Sequence, residues 1–95
     1  MAKYRWIITI DYIADLKARP YSNVNAHGLC GPYDVDFSIR DNPVPFRLRD
    51  GDGTLYYEGI LYGDYEGFEP LDDWGKGNAG AVTVEHYENN QWREI

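Results

Sequence analysis

Apolar and polar residues alternate every second position in several segments of the chain, and this pattern predicts strands. The clearest run covers residues 4–12, where the residues on one side are Tyr4, Trp6, Ile8, Ile10 and Tyr12. A period of two, rich in β-branched and aromatic residues, is typical of a strand with one buried face. The same pattern predicts further strands over residues 34–40, 44–49, 54–62, 82–88 and 91–95.

Turn residues separate these strands and predict how they connect. Asp50-Gly51-Asp52-Gly53 reads as a tight hairpin turn, because glycine tolerates positive φ. Asn89-Asn90 suits a two-residue hairpin turn. Residues 34–62 would then form a three-stranded meander. Residues 20–33 and 63–80 read as two long loops, and residues 13–18 allow one helical turn before Arg19-Pro20.

The expected architecture is a mainly β single domain spanning residues 1–95. Six strands, at most one short helix and no alternation of strands with helices favour a small antiparallel sheet that closes into a barrel or a two-layer sandwich, with an α+β fold as the alternative. The predicted core is Tyr4, Trp6, Ile8, Ile10, Val35, Phe37, Ile39, Phe46, Leu48, Leu55, Tyr57, Leu61, Val82 and Val84.

The acidic residues are unevenly distributed, and this changes the functional expectation. The formal net charge is −7; residues 1–49 carry seven basic and five acidic groups (+2), whereas residues 50–95 carry two basic and eleven acidic groups (−9). No basic residue lies between Arg49 and Lys76. Such a charge repels a phosphate backbone and attracts basic protein surfaces, so we expect no direct nucleic-acid binding.

Several short motifs resemble a set of short bacterial and phage proteins that carry no assigned function. The motifs are Trp6-x-x-Thr9-x-Asp11-Tyr12-Ile13, Asn25-Ala26-x-Gly28, Gly31-Pro32, Phe46-Arg47-Leu48-x-Asp50-x-Asp52-Gly53, Tyr56-Tyr57-Glu58-Gly59, Pro70-Leu71-Asp72-Asp73 and Asn78-Ala79-Gly80. The resemblance implies a bacterial or mobile-element setting. In general character, the chain is also similar to anti-CRISPR and other anti-defence inhibitors.

The candidate metal and catalytic patterns are incomplete. An EF-hand would place Glu six positions after Gly53, but that position is Gly59. His27 and Cys30 could form half a zinc site or a nucleophile pair, yet further ligands, an oxyanion hole and an orienting group are not legible. Carboxylate pairs are too frequent in residues 64–73 to indicate a glycosidase. We therefore expect no enzyme activity, no metal and no cofactor.

The function we expect is a non-enzymatic acidic interaction module that occludes a basic, nucleic-acid-binding partner, in the manner of a DNA mimic. Its expected partner-binding residues are Asp64, Tyr65, Glu66, Glu69, Asp72, Asp73 and Trp74. The alternative is a small ligand- or carbohydrate-binding domain that uses surface Tyr and Trp rings. The single cysteine and the lack of both a long apolar run and a signal-peptide cleavage site indicate a cytoplasmic protein without a membrane segment.

Overall fold

The chain forms one open sheet of six antiparallel strands in a computed structural model that describes residues 3–12, 30–32 and 34–95. The strands are β1 (Tyr4–Asp11), β2 (Cys30–Gly31), β3 (Val44–Arg49), β4 (Leu55–Gly63), β5 (Thr83–Glu88) and β6 (Gln91–Glu94). Their order across the sheet is β2-β1-β4-β3-β5-β6. The predicted mainly β fold with an antiparallel sheet is confirmed. Of the two closures that the sequence left open, the barrel does not form, because the edge strands β2 and β6 do not pair with each other.

Both hairpin turns form where the sequence placed them. At the first turn, the Asp50 and Thr54 backbones are joined by a 3.0 Å hydrogen bond from Asp50 N to Thr54 O. The Asp50 carboxylate also accepts the backbone N–H groups of Asp52 and Thr54. At the second turn, Asn89 and Asn90 have φ of 53° and 66°, the left-handed conformation that such two-residue turns require.

One face of the sheet carries the core, as the alternation predicted. Phe46, Leu48 and Leu61 are completely buried. The predicted core is confirmed at these three positions and at the other buried members, Trp6, Ile8, Tyr57 and Val84. Gly59 lies opposite both Ile8 and Phe46, and a side chain there would overlap the Phe46 ring. The absence of a Cβ at Gly59 therefore lets the Phe46 ring, the largest of the completely buried side chains, pack against β4.

Two members of the predicted core, Ile10 and Val82, are exposed. The β1–β4 register shifts between Ile8 and Ile10, so Ile10 lies opposite Glu58. A bulge of this kind inverts the side-chain alternation that follows it. Ile10 is therefore 37% exposed. Val82 precedes β5, whose first residue is Thr83, and it is 53% exposed.

Residues 34–40 alternate like a strand but do not form one, so the three-stranded meander is wrong. The segment consists of turns and irregular backbone, and its Asp36 carboxylate accepts hydrogen bonds from both the backbone N–H and the hydroxyl of Ser38. The side chains of Val35, Phe37 and Ile39 are half-buried. β1 pairs with β4 along one edge and with β2 along the other. β2 lies in residues 20–33, the segment that the sequence predicted to be a loop. The helical turn expected at residues 13–18 lies outside the described residues.

The connection between β4 and β5 contains helix where the sequence indicated only loop. A π-helical turn over Leu71–Gly75 continues into α1 (Lys76–Ala79), which ends at Gly80 in the left-handed conformation. Leu71 and Gly75 are buried, and a Cβ at Gly75 would meet the Leu48 side chain at 2.6 Å. The helical turn therefore packs directly on the core face. Among the described residues, no helix has the length and apolar character needed to cross a membrane.

Candidate interaction surface on the β4–β5 connection

All seven residues expected to bind a partner lie on the connection between β4 and β5, but they differ in exposure. Asp64, Glu66, Asp72 and Asp73 are exposed, whereas Tyr65, Glu69 and Trp74 are half-buried. The predicted set therefore divides into residues that face solvent and residues that also pack against the domain. All seven residues share one connection, but only the four exposed ones are fully accessible to a partner.

Backbone bonds fix the start of this connection at the end of β4. Gly63 has φ of 94°, and its N–H donates to Asp41 O at 2.8 Å. Asp64 N donates to Lys3 O at 2.9 Å, and the Tyr65 hydroxyl donates to Asn42 O, also at 2.9 Å. The Asp64 carboxylate is thus presented from a backbone that is bonded to two other segments.

Glu69 holds the loop that carries Glu66. Its two carboxylate oxygens accept the backbone N–H groups of Glu66 and Gly67 at 2.6 and 2.7 Å. Gly67 has φ of 126°, a conformation that residues with a side chain rarely adopt, so the loop requires glycine there. Glu69 therefore shapes the surface, while the Glu66 side chain faces solvent.

Asp73 fastens the helical turn to β1. One oxygen of its carboxylate, Oδ2, accepts the Tyr4 hydroxyl at 2.8 Å and the Trp6 indole N–H at 3.1 Å. Burial, together with this hydrogen bond and the negative charge of Asp73, raises the pKa of Tyr4 well above its ordinary value. The exposed Asp73 carboxylate therefore has an internal role as well as a place on the acidic surface.

The rings of Trp74 and Tyr65 pack against other side chains of the domain. Trp74 packs against Tyr57 and Trp6, with ring centroids 4.4 and 5.9 Å apart. Tyr65 meets the buried His86 ring edge-on at 6.2 Å. Burial, followed by the charges of Glu88 and Glu69, raises the pKa of Tyr65. The expectation that Tyr65 or Trp74 anchors a partner stays a prediction.

Phe68 is an apolar residue of this connection that the predicted site omitted. It is 43% exposed, although both neighbours in sequence, Gly67 and Glu69, are folded into the loop. An exposed aromatic side chain among carboxylates has the character of an interface anchor, because such anchors combine apolar contact with a polar rim. The sequence signal was present, since Phe68 is an apolar residue within an acidic loop.

The cations that form described ion pairs lie on other elements. Arg49 Nε lies 2.7 Å from Glu85 Oε1, and Arg47 Nε lies 3.5 Å from Glu58 Oε1. These pairs join β3 to its neighbouring strands on the face opposite the core.

Three carboxylates on the connection have no cationic partner among the residues that the structure describes. Within the described part of the chain, no ion pair or side-chain hydrogen bond engages Asp64, Glu66 or Asp72. They project negative charge from one connection.

The described residues do not form the metal site that the sequence left open as a possibility. No three His, Cys, Asp or Glu side chains in residues 3–12, 30–32 and 34–95 are grouped to hold a metal ion. Cys30 is half-buried in β2, and His27 lies outside the described residues. The pKa of Asp50 is lowered, chiefly by the backbone N–H of Thr54, in agreement with a turn-forming carboxylate.

Comparisons with protein-family models, with curated proteins and with solved structures found no match to this chain. We therefore infer function from the geometry and charge of the chain itself.

Proposed function

We propose that the protein is a non-enzymatic interaction module whose acidic β4–β5 connection docks on a basic protein surface. The proposal follows chiefly from one observation: Asp64, Glu66 and Asp72 are exposed and have no ion-pair partner among the described residues. Like charges on one segment repel one another, and solubility alone is served equally well by dispersed charges. A basic partner would relieve that repulsion.

The partner of this proposal is a protein whose basic surface binds nucleic acid. Carboxylates can accept the same bidentate hydrogen bonds from arginine that phosphates accept. The connection would occupy the position of a phosphate backbone and exclude nucleic acid by steric and electrostatic competition. Phe68 would add apolar contact area beside the carboxylates. In a bacterial or mobile-element setting, this mode of action would suit an inhibitor of a host or defence protein.

The structure determines which carboxylates should be changed to test the proposal. Glu69 and Asp73 must be kept, because their oxygens hold the loop and the helical turn. The test variant is Glu66→Gln with Asp72→Asn, which neutralises two exposed side chains without removing these bonds. The matched control is Glu94→Gln with Asp52→Asn. It removes an equal number of negative charges, but from exposed positions on β6 and the first hairpin turn.

The experiment is capture from a bacterial lysate by the immobilised protein at about 50 and about 500 mM NaCl, followed by identification of the captured proteins. We expect a basic nucleic-acid-binding protein to be captured at low salt only, and the wild-type chain to displace DNA from it. The control variant should act like wild type, whereas the test variant should lose most capture. Equal capture and equal DNA displacement by the two variants would falsify acidic docking.

A further inference from the structure

Arg5 is a buried cation with an incomplete set of partners. Its side chain projects from β1 on the face opposite Trp6, and the residue is only 5% exposed. Arg5 Nε donates to Ile39 O at 2.9 Å, and the guanidinium carbon lies 4.2 Å from the centre of the Tyr62 ring. The Nη2 atom is also buried, and none of residues 3–12, 30–32 and 34–95 forms a hydrogen bond with it.

The comparison with Arg47 shows what Arg5 lacks. Arg47 lies over the Trp92 ring at 4.0 Å in a similar way, and its buried Nε likewise has no hydrogen bond from the described residues. That Nε nevertheless lies 3.5 Å from the Glu58 carboxylate, which supplies a countercharge. Within the described residues, no carboxylate lies at ion-pair distance from Arg5. A buried charge without a countercharge is strongly unfavourable, and an aromatic ring offsets only part of that cost.

We propose that Arg5 and the segment over it, residues 34–40, form a binding site for a small oxyanion such as inorganic phosphate or sulfate. A water molecule could satisfy Nη2 but would bring no countercharge, whereas an oxyanion supplies both an acceptor and a negative charge. Guanidinium groups match the oxygen spacing of phosphate and carboxylate. This site lies on the sheet face opposite the helical turn and is independent of the proposed docking surface.

The covering segment allows the anion to enter without opening the sheet. Residues 34–40 are outside the strands, and two of their backbone bonds, Val35 N to Pro32 O and Ile39 N to Asp36 O, are local turns. The segment contains two acidic residues. The carboxylate of Asp36 is bonded to Ser38, and Asp34 has an interaction of its own but no ion pair with Arg5 among the described residues. Irregular segments with mainly local bonds open at lower free energy than paired strands. Because Arg5 is only 5% exposed, we expect a small free anion rather than a phosphate attached to a polymer.

The test is the melting temperature of the full chain in increasing sodium phosphate, with NaCl adjusted to hold ionic strength constant. We expect phosphate and sulfate to raise the melting temperature by several degrees in a saturable way, because a ligand that binds only the folded state stabilises it. Arg5→Met should abolish the rise. Arg40→Gln, which removes an exposed arginine from the same segment, should retain it.

A measurement on the wild-type chain decides the matter even if Arg5→Met does not fold. Phosphate should shift the Arg5 side-chain Nε–H signal in an NMR titration with the same saturation as the melting temperature, and leave that of Arg40 in place. An unmoved Arg5 signal, or a phosphate effect that persists in Arg5→Met, overturns the anion site. Neither result depends on the acidic connection, so the proposed function would be unaffected.

Discussion

The carboxylates of the β4–β5 connection have two different roles: some hold the fold together, and others face solvent. Those of Glu69 and Asp73 accept hydrogen bonds from the protein itself, whereas that of Asp72, next to Asp73 in sequence, faces solvent. The sequence could not separate these roles. The bonds of Asp73 reach Trp6 and Tyr4, 67 and 69 positions away. An acidic run therefore identifies the segment, but only tertiary contacts identify its free members.

At the residue scale, Phe46 should dominate core stability. Phe46→Ala removes a completely buried ring that lies across Gly59, and should lower the free energy of unfolding by about 3–5 kcal/mol. Phe68→Ala is the matched control, because Phe68 is 43% exposed, and it should cost about 1 kcal/mol or less. Urea denaturation measures both. Similar losses in the two variants would contradict the placement of these side chains.

Tyr4 should make stability fall at alkaline pH. Its pKa is raised by burial and by the Asp73 carboxylate, so the folded state holds the phenol proton more tightly than the unfolded chain does. The resulting stabilisation is complete below the unfolded pKa of about 10 and is lost as pH rises toward the folded pKa.

Urea denaturation of Tyr4→Phe from pH 8 upward tests this assignment. We expect a shallower decline above about pH 10 than in wild type. Asp73→Asn should also reduce the slope, because it removes the negative charge beside the Tyr4 hydroxyl. An unchanged slope in Tyr4→Phe would assign the decline to other groups, such as Tyr65, whose pKa is also raised.

At the scale of elements, periodicity predicted strands well wherever a strand had a neighbour to pair with. β3, β4 and β5 form near their predicted positions, because their alternating apolar residues meet across the sheet. The failure at Ile10 has a physical cause. The bulge after Ile8 inverts the alternation at Ile10, and a pattern in one strand contains no information about its partner's register.

The segment 34–40 and the helical turn fail for a different reason. The first alternates but lies outside the ladder, over Arg5, so its apolar residues are only half-buried. The helical turn ends at Gly75, and α1, which continues it, contains Gly77; each glycine disfavours helix by about 1 kcal/mol relative to alanine. The helical form of this segment depends on packing of Leu71 and Trp74 against the sheet, which local propensity does not reveal.

Two glycine substitutions distinguish close packing from local helix propensity. Gly59→Ala should destabilise by roughly 1–3 kcal/mol, because a Cβ there would overlap Ile7 O and the Phe46 ring. Gly77→Ala should instead be neutral or stabilise by about 0.4–1 kcal/mol. Apart from the glycine's chain neighbours and its own helix backbone, no described atom lies within 4 Å of its Cβ position. Thermal or urea unfolding measures both. A destabilising Gly77→Ala would contradict the described geometry of α1.

For the whole molecule, the excess negative charge and the described ion pairs lie in different places. The net charge is −7, whereas the described pairs of Arg47 and Arg49 lie on one face of the sheet. The sign of the net electrostatic contribution therefore depends on whether acidic self-repulsion exceeds the ion-pair attraction. Surface ion pairs contribute little, about 0–1 kcal/mol each, so repulsion should prevail.

Salt should consequently stabilise the isolated protein. Between about 20 and 200 mM NaCl, screening of repulsion should raise the melting temperature. The Glu66→Gln, Asp72→Asn variant should melt higher than wild type at low salt and respond less to added NaCl. A melting temperature that falls with NaCl would show that ion pairs such as Arg49–Glu85 outweigh the repulsion.

The contact of Trp74 with Trp6 and Tyr57 has a spectroscopic consequence. Two indole rings with centroids 5.9 Å apart, and a phenol ring 4.4 Å from one of them, form an asymmetric group of coupled chromophores. Trp92, the third tryptophan of the chain, lies beside Arg47 on the opposite face. In Trp92→Phe, the indole fluorescence and the near-ultraviolet circular dichroism would thus become an internal probe of the helical turn, reporting its detachment from the sheet without any attached dye.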